Sequence, residues 1–189
     1  MVGLFGGSFD PVHHGHLIAA LAAREALGLA EVRFVPAREQ PFKAGRHAAP
    51  AEDRVAMLRA AVAGMPGFGV ETLELDRPGP SYTVDTLRAL AAREPGEAFI
   101  LLLGADAAGE FPQWRESAAV AALARVAVLT RPGHPAPEAP WVWRAVPVPA
   151  LEISATELRR RVAAGRSIRY FVPDAVAAHV AGRGLYQDP

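Results

Sequence analysis

The sequence predicts an α/β protein built on a mainly parallel, doubly wound sheet with helices on both faces. Three observations carry this. Short apolar runs alternate with helical stretches along the whole chain, the pattern of a parallel sheet with crossover helices. "FILLLG" (99–104) is a continuous apolar run, the kind that is buried on both faces. Residues 2–37 read as strand, glycine turn, helix and strand, one right-handed crossover unit.

Taken in order, "VGLFGG" (2–7) is a short apolar strand closed by glycines, which mark the tight turn after it. "HLIAALAAREALG" (16–28) places Leu17, Ala20, Leu21, Arg24 and Leu27 at helical spacing, with Gly28 as the C-cap. "EVRFVPA" (31–37) is the second strand. "AEDRVAMLRAAVAG" (51–64) is helical, with Glu52 and Asp53 in its first turn, where the helix dipole favours acids. "FGVETLELD" (68–76) alternates as a strand does, and "YTVDTLRALAARE" (82–94) is a helix. After the strand "AFILLLGAD" (98–106) come the helix "SAAVAALA" (117–124) and the strands "RVAVLTRPG" (125–133) and "WRAVPVPAL" (143–151). "SATELRRRVAAG" (154–165) opens with a capping box, Ser154 to Glu157, and closes at Gly165. "PDAVAAHVAG" (173–182) is the last helix, with Pro173 at its first turn. The architecture is therefore Rossmann-like, in a single domain over 1–189. Residues 37–50 and 130–140 are long loops rather than linkers, and long loops in compact domains tend to carry function.

Composition narrows the partners. Lys and Arg number 20 and Asp and Glu 20, so the basic excess that a polymeric nucleic acid calls for is missing. A small phosphorylated ligand needs only a few placed donors and stays open. There is no cysteine, which removes disulfides and thiolate metal sites. No apolar run has the length of a bilayer span, and "MVGLFGG" lacks the charged n-region and long h-region of a signal peptide. The expectation is a cytoplasmic protein with no membrane partner.

Chemistry is expected where parallel sheets bind ligands, at the carboxyl ends of the strands. The loops there are "GGSFDPVHHGH", "PAREQPFK", "LDRPGPSYT", "GAD" and "LTRPG", with "ISATELR" nearby. The first is neither a dinucleotide fingerprint nor a P-loop, since it lacks both G-x-G-x-x-G and G-K-[ST]. Its imidazoles have three readings: metal ligands, polar groups at a helix start, or a site for an anion. His13 and His16 stand at i, i+3 with no H-E-x-x-H arrangement, which disfavours metal. His14 reads as a solvating residue. For His13 and His16, imidazoles at a dipole-positive helix end behind a glycine turn suit negative charge on a phosphate in transit.

"GGSFDPVHHGH" (6–16) resembles the G-x-F-D-P-x-H-x-G-H signature of the nucleotidyltransferase superfamily, whose members transfer AMP or CMP to a phosphate acceptor. "ISATELR" (153–159) resembles its second signature, I-S-x-T-x-x-R. "PSYTVDTL" (80–87), "LGADAAGEFPQW" (103–114) and "VLTRPG" (128–133) are similar to segments of the bacterial nicotinate-nucleotide adenylyltransferases. That family often has P-P-H-K where this chain has "QPFK" (40–43), so Phe42 replaces a histidine and Lys43 remains.

The resemblance implies ATP and nicotinate mononucleotide as substrates, with His13, His16 and Arg159 as the catalytic groups. It implies ATP contacts from Gly6, Gly7, Ser8, Phe9, Gly15, Gly104, Asp106, Ile153, Ser154 and Thr156. Ser154 also reads as a plain N-cap, and Asp106 as the cap of a turn after its strand. Acceptor contacts are implied for Lys43, Ser81, Tyr82, Thr83, Trp114 and Arg131, with Trp114 stacking on the pyridine ring. Mg²⁺ would arrive with ATP, held by phosphates and water, since the sequence shows no all-protein cage. Rival readings are an acceptor that is nicotinamide mononucleotide or phosphopantetheine, and a non-catalytic nucleotide-binding module on the same scaffold.

Overall fold

The computed structural model describes residues 1–39 and 48–187. Six strands, β1 (Val2–Gly7), β2 (Glu31–Pro36), β3 (Phe68–Val70), β4 (Phe99–Gly104), β5 (Arg125–Thr130) and β6 (Val142–Pro147), form one sheet. Their order is β3-β2-β1-β4-β5-β6, and every neighbouring pair is parallel. The chain winds outward from β1 through β2 to β3, then crosses back to β4 and winds the other way. The loops leaving β1 and β4 therefore part from each other, and a crevice opens between them at the carboxyl edge.

Two cores follow from the period-2 alternation of side chains in the strands. Val2, Leu4, Leu101, Leu103, Val126 and Val128 face one side and pack against α3 (Thr83–Arg93), α4 (Ala105–Glu110) and α5 (Ser117–Leu123). Val32, Phe34, Ile100, Leu102, Ala127 and Leu129 face the other, against α1 (His14–Leu27), α2 (Ala51–Val62), α6 (Ala155–Ala163) and α7 (Asp174–Gly182). Gly28 stops α1 at φ +60°, a left-handed position that favours glycine. At the start of α6 the Ser154 hydroxyl accepts the Glu157 N–H at 3.2 Å. The Glu157 carboxylate lies 3.8 Å from Arg166 instead of closing the capping box.

Two local expectations are corrected. The strand expected over 68–76 ends at Val70, because the carboxylates of Glu71 and Glu74 turn inward rather than alternate. Glu71 binds the Arg93 guanidinium and its own loop at the Leu73 N–H, and Glu74 accepts the Thr86 hydroxyl at 2.8 Å. β4 ends at Gly104, so Asp106 does not close the strand; it sits in the first turn of the short helix α4.

Helices α2 and α7 are joined by buried Asp53, whose Oδ1 receives His179 Nε2 at 2.9 Å and Arg183 Nε at 3.0 Å. Burial pushes the Asp53 carboxyl up, but Arg183 and His179 outweigh it and hold the pKa below the usual carboxylate range. This docking carries Arg54 on α2 and Tyr186, just after α7, to the underside of the first loop.

Candidate active site

β1 runs out into Gly6 and Gly7, and the turn after it places Phe9 at φ +49°, a left-handed backbone that costs a phenylalanine about 1–2 kcal/mol. The ring's burial offsets that cost. Phe9 packs edge-on to Phe5 at 6.0 Å, Phe34 at 5.4 Å and His16 at 5.1 Å. A Cβ on Gly7 would stand 2.9 Å from the Phe9 ring, so only glycine lets the strand end pass so close. The Phe9 side chain thus belongs to the core, and what it offers a ligand is backbone.

His13 is the N-cap of α1 and His16 its third residue. Their rings stack at 3.7 Å between centroids, and the His13 N–H donates to His16 Nδ1 at 3.3 Å. That bond leaves the proton of a neutral His16 ring on Nε2, as a donor in a ring lining the crevice. Burial, then the neighbouring imidazole of His14, lowers His13 to about 4. Burial, then His13, lowers His16 to about 3. Both rings are neutral at pH 7, ready to receive an anion whose charge would favour their protonated forms.

The folded pKa values lie below the unfolded one, so the folded chain binds fewer protons between pH 6.5 and about 4. The contribution of these rings to stability is therefore full above pH 6.5 and declines as the pH falls toward 4. The slope is about 1.4 kcal/mol per pH unit for each ring. NMR titration is expected to show the His13 and His16 ring nitrogens unchanged from about pH 8 to 5, with His16 as the Nε2–H tautomer. Titration of either ring at the ordinary imidazole pKa would contradict this.

Helix α6 brings the second signature to the same place. Arg159 lies one turn beyond Thr156, as its spacing predicts, and its Nη2 donates to the Thr156 hydroxyl at 3.3 Å. Its Nη1 donates to the Asp10 carbonyl at 2.7 Å, tying α6 to the first loop.

Two cavities open along the crevice. One, of about 760 Å³, is lined by Gly7, Ser8, Phe9, His13, Gly15, His16, Ile153, Ser154, Thr156 and Arg159. The other, of about 680 Å³, is lined by Gly6, Ser81, Tyr82, Thr83 and Trp114. Gly7, Gly104 and Asp106 line both. Gly6, expected on the ATP side, opens to the second cavity. Arg131, expected beside the acceptor, lines the first, its Nη2 lying 3.7 Å from the Asp106 carboxylate. Lys43 and Phe42 lie outside the described residues.

Several residues of the site escape sequence reasoning. Arg115 lines the second cavity with its guanidinium 4.7 Å above the Tyr82 ring. Glu74 is buried at that cavity, where burial pushes its carboxyl up against the opposing pull of Thr86, Ser81 and Arg77. Arg54 on α2 is buried beneath the first loop, against the equally buried Asp10 of the first signature. The one available signal was an Arg placed among apolar positions of α2, where a solvated cation has no place.

Residues 4–161 match the sequence model of the cytidylyltransferase-like family. "Probable nicotinate-nucleotide adenylyltransferase" of Roseiflexus sp. is 48% identical over 98% of this chain and 98% of its own length. The chain belongs to the nicotinate-nucleotide adenylyltransferase family. A relative of the same name from Thermus thermophilus is also 48% identical, over 98% of this chain and 99% of its own. The fold of this adenylyltransferase is similar to that of Plasmodium falciparum nicotinic acid mononucleotide adenylyltransferase complexed with NaAD. The two agree with a TM-score of 0.81 at 18% identity, covering 100% of this chain and 98% of the other. Among the described residues of this adenylyltransferase no helix is long and apolar enough to cross a membrane.

Proposed function

We propose that this enzyme transfers the adenylyl group of ATP to the phosphate of nicotinate mononucleotide, giving nicotinate adenine dinucleotide and pyrophosphate. One observation carries the reading. Two cavities of nucleotide size meet at Gly7, Gly104 and Asp106, with the His13–His16 pair on the rim of one and Trp114 in the other. A group held in the first therefore comes end to end with a group held in the second.

In this reading Ser154, Thr156 and Arg159 grip the β- and γ-phosphates, and Asp106 accepts from ribose hydroxyls. Gly15, Ser8 and the Phe9 backbone border the phosphates, and Ile153 borders the nucleoside. His16 donates to the α-phosphate as charge shifts there, with His13 stacked behind it. The acceptor phosphate is already ionised and attacks in line, breaking the bond to pyrophosphate. No covalent intermediate and no general base are needed, since phosphoryl-type transfer rests on positioning and charge. Trp114 stacks on the pyridine ring, Tyr82 and Thr83 seat its carboxylate, and Lys43 serves the acceptor phosphate. Arg131 stands by Asp106 and serves the nucleotide side.

Mg²⁺ fits this donor set as an ion carried by ATP. The carboxylates lining the first cavity are Asp10, already filled with hydrogen bonds, and Asp106, 80% exposed. The ion would therefore be held by the phosphates and water, and its chemistry would be to neutralise phosphate charge. ATP as donor sets the cytoplasm as the place of work, and one domain suffices for both substrates.

The test is pyrophosphate release from ATP with a panel of acceptors: nicotinate mononucleotide, its amide and phosphopantetheine. Release with the first is expected. No release with any acceptor would overturn the enzymatic reading, and release with phosphopantetheine alone would overturn the acceptor.

A further inference from the structure

Beneath the first loop lies a set of buried polar groups built around Asp10, Arg54 and Tyr186, to which the reaction above gives no role. The Asp10 carboxylate, 2% exposed, receives the Tyr186 hydroxyl at 2.7 Å and the Ala49 N–H at 3.1 Å on Oδ1, and the Ala48 N–H at 2.7 Å on Oδ2. Arg54, 1% exposed, donates from Nη1 to the Ser8 carbonyl at 2.8 Å, and the Asp10 carboxylate is the first anion acting on it. The Asp10 carbonyl in turn takes the Arg159 guanidinium at 2.7 Å. Two carbonyls of one turn are thus pinned by guanidinium groups from different helices. Its one carboxylate is filled from the α2 side and from the distant end of the chain.

A buried guanidinium and a buried carboxylate are costly to desolvate, and here they bear on the loop that lines the phosphate cavity. The peptide unit is planar, so holding the Ser8 carbonyl also sets the direction of the Phe9 N–H on the other side of that plane. We infer that Arg54 and Tyr186 are positioning residues for adenylyl transfer, acting through the Ser8–Asp10 turn without touching either substrate. The inference rests on the reaction proposed above. An error of about 1 Å in the reacting geometry costs up to about 10²-fold in rate, whereas the Ser154 and Thr156 contacts from α6 and the pyridine contacts from α3 are left in place. The effect therefore falls on kcat rather than on binding.

The experiment compares wild type, Tyr186→Phe, Asp10→Asn, their double variant, Arg54→Lys and Arg54→Met, all as full chains. It measures melting, ATP-binding stoichiometry, and kcat and KM with both substrates. Tyr186→Phe is expected to bind one ATP per chain and lower kcat about five- to tenfold, with KM values within about threefold. Added to Asp10→Asn, it changes kcat by less than about twofold, because Tyr186 acts through Asp10. Arg54→Lys recovers part of the kcat that Arg54→Met loses. Wild-type kcat in Tyr186→Phe overturns the inference. So do additive effects, and so does a loss of kcat matched by lost binding stoichiometry or failure to fold, which assigns the group to stability alone. Wild-type turnover in the same assay checks the reaction; the ratio of variant to wild type checks the positioning.

Discussion

His16→Ala folds and binds ATP, and its turnover falls about 10²–10³-fold, the usual loss when one preorganised donor to a developing anion is removed. The size of the effect follows from how firmly the ring is held. Nδ1 is engaged by the His13 N–H, one face stacks on His13, and Phe9 and Phe5 meet the ring edge-on at 5.1 and 6.3 Å. The ring therefore needs no reorganisation as charge builds on the α-phosphate. Its burial makes it neutral before ATP arrives, so the Nε2–H is present across the physiological pH range. The fold survives because α1 is held by Ala20, Ala23 and Leu27 in the core, and the His14 N–H is satisfied by the Phe171 carbonyl at 3.0 Å. The measurement is kcat at saturating ATP and acceptor, alongside the melting temperature. A folded His16→Ala enzyme with near wild-type kcat would remove His16 from the reaction.

Nicotinate mononucleotide is expected to be used at least about tenfold more efficiently than its amide, a margin set by hydrogen-bond chemistry. The start of α3 presents the reason. The Asp85 and Thr86 N–H groups both close onto the Tyr82 carbonyl, while the earlier N–H groups of a helix have no partner within it. Thr83 lines the acceptor cavity, and Arg115 adds a cation above the Tyr82 ring. A carboxylate accepts there with both oxygens; an amide offers one acceptor and turns an NH₂ toward the other donor. A charge-assisted bond contributes about 1.5–3 kcal/mol against about 0.5–1.5 for a neutral one. Leaving a donor unpaired costs about 1–3 kcal/mol more. Glu74 does not reverse the choice, because its carboxylate is occupied by the Thr86 hydroxyl at 2.8 Å and further engaged by Ser81. The comparison is kcat/KM for the two acceptors at saturating ATP and fixed Mg²⁺. Equal values, or preference for the amide, would overturn the acceptor while leaving adenylyl transfer standing.

Much of this site is legible in the residues. The glycine turn, the imidazoles at i, i+3 and the Ser-x-Thr-x-x-Arg helix start are each local. Where the structure departs from local appearance, distant side chains are the cause. The run 68–76 has the alternation of a strand, yet Glu71 and Glu74 face inward because Arg93 and Thr86 from α3 stand there to receive them. Arg131 follows a strand end, as Thr83 and Trp114 do not, and only the packed structure shows that it lines the first cavity beside Asp106.

Local periodicity, caps and glycines are properties of residues a few positions apart, and they determined the α/β class, nearly every element and the loops that carry the chemistry. Strand order was decided by tertiary structure, and with it the switch between β1 and β4 that opens the crevice. So were the contacts that hold the first loop. Asp10 meets Arg159 and Tyr186 across sequence separations of 149 and 176, and Arg54 reaches Ser8 across 46. No pattern of neighbouring residues encodes such pairs, because they exist only when two packed layers bring distant helices under one turn. Burial depth is of the same kind: His16 is an ordinary imidazole in the sequence, and only the closeness of His13, Phe9 and the core makes it a neutral donor.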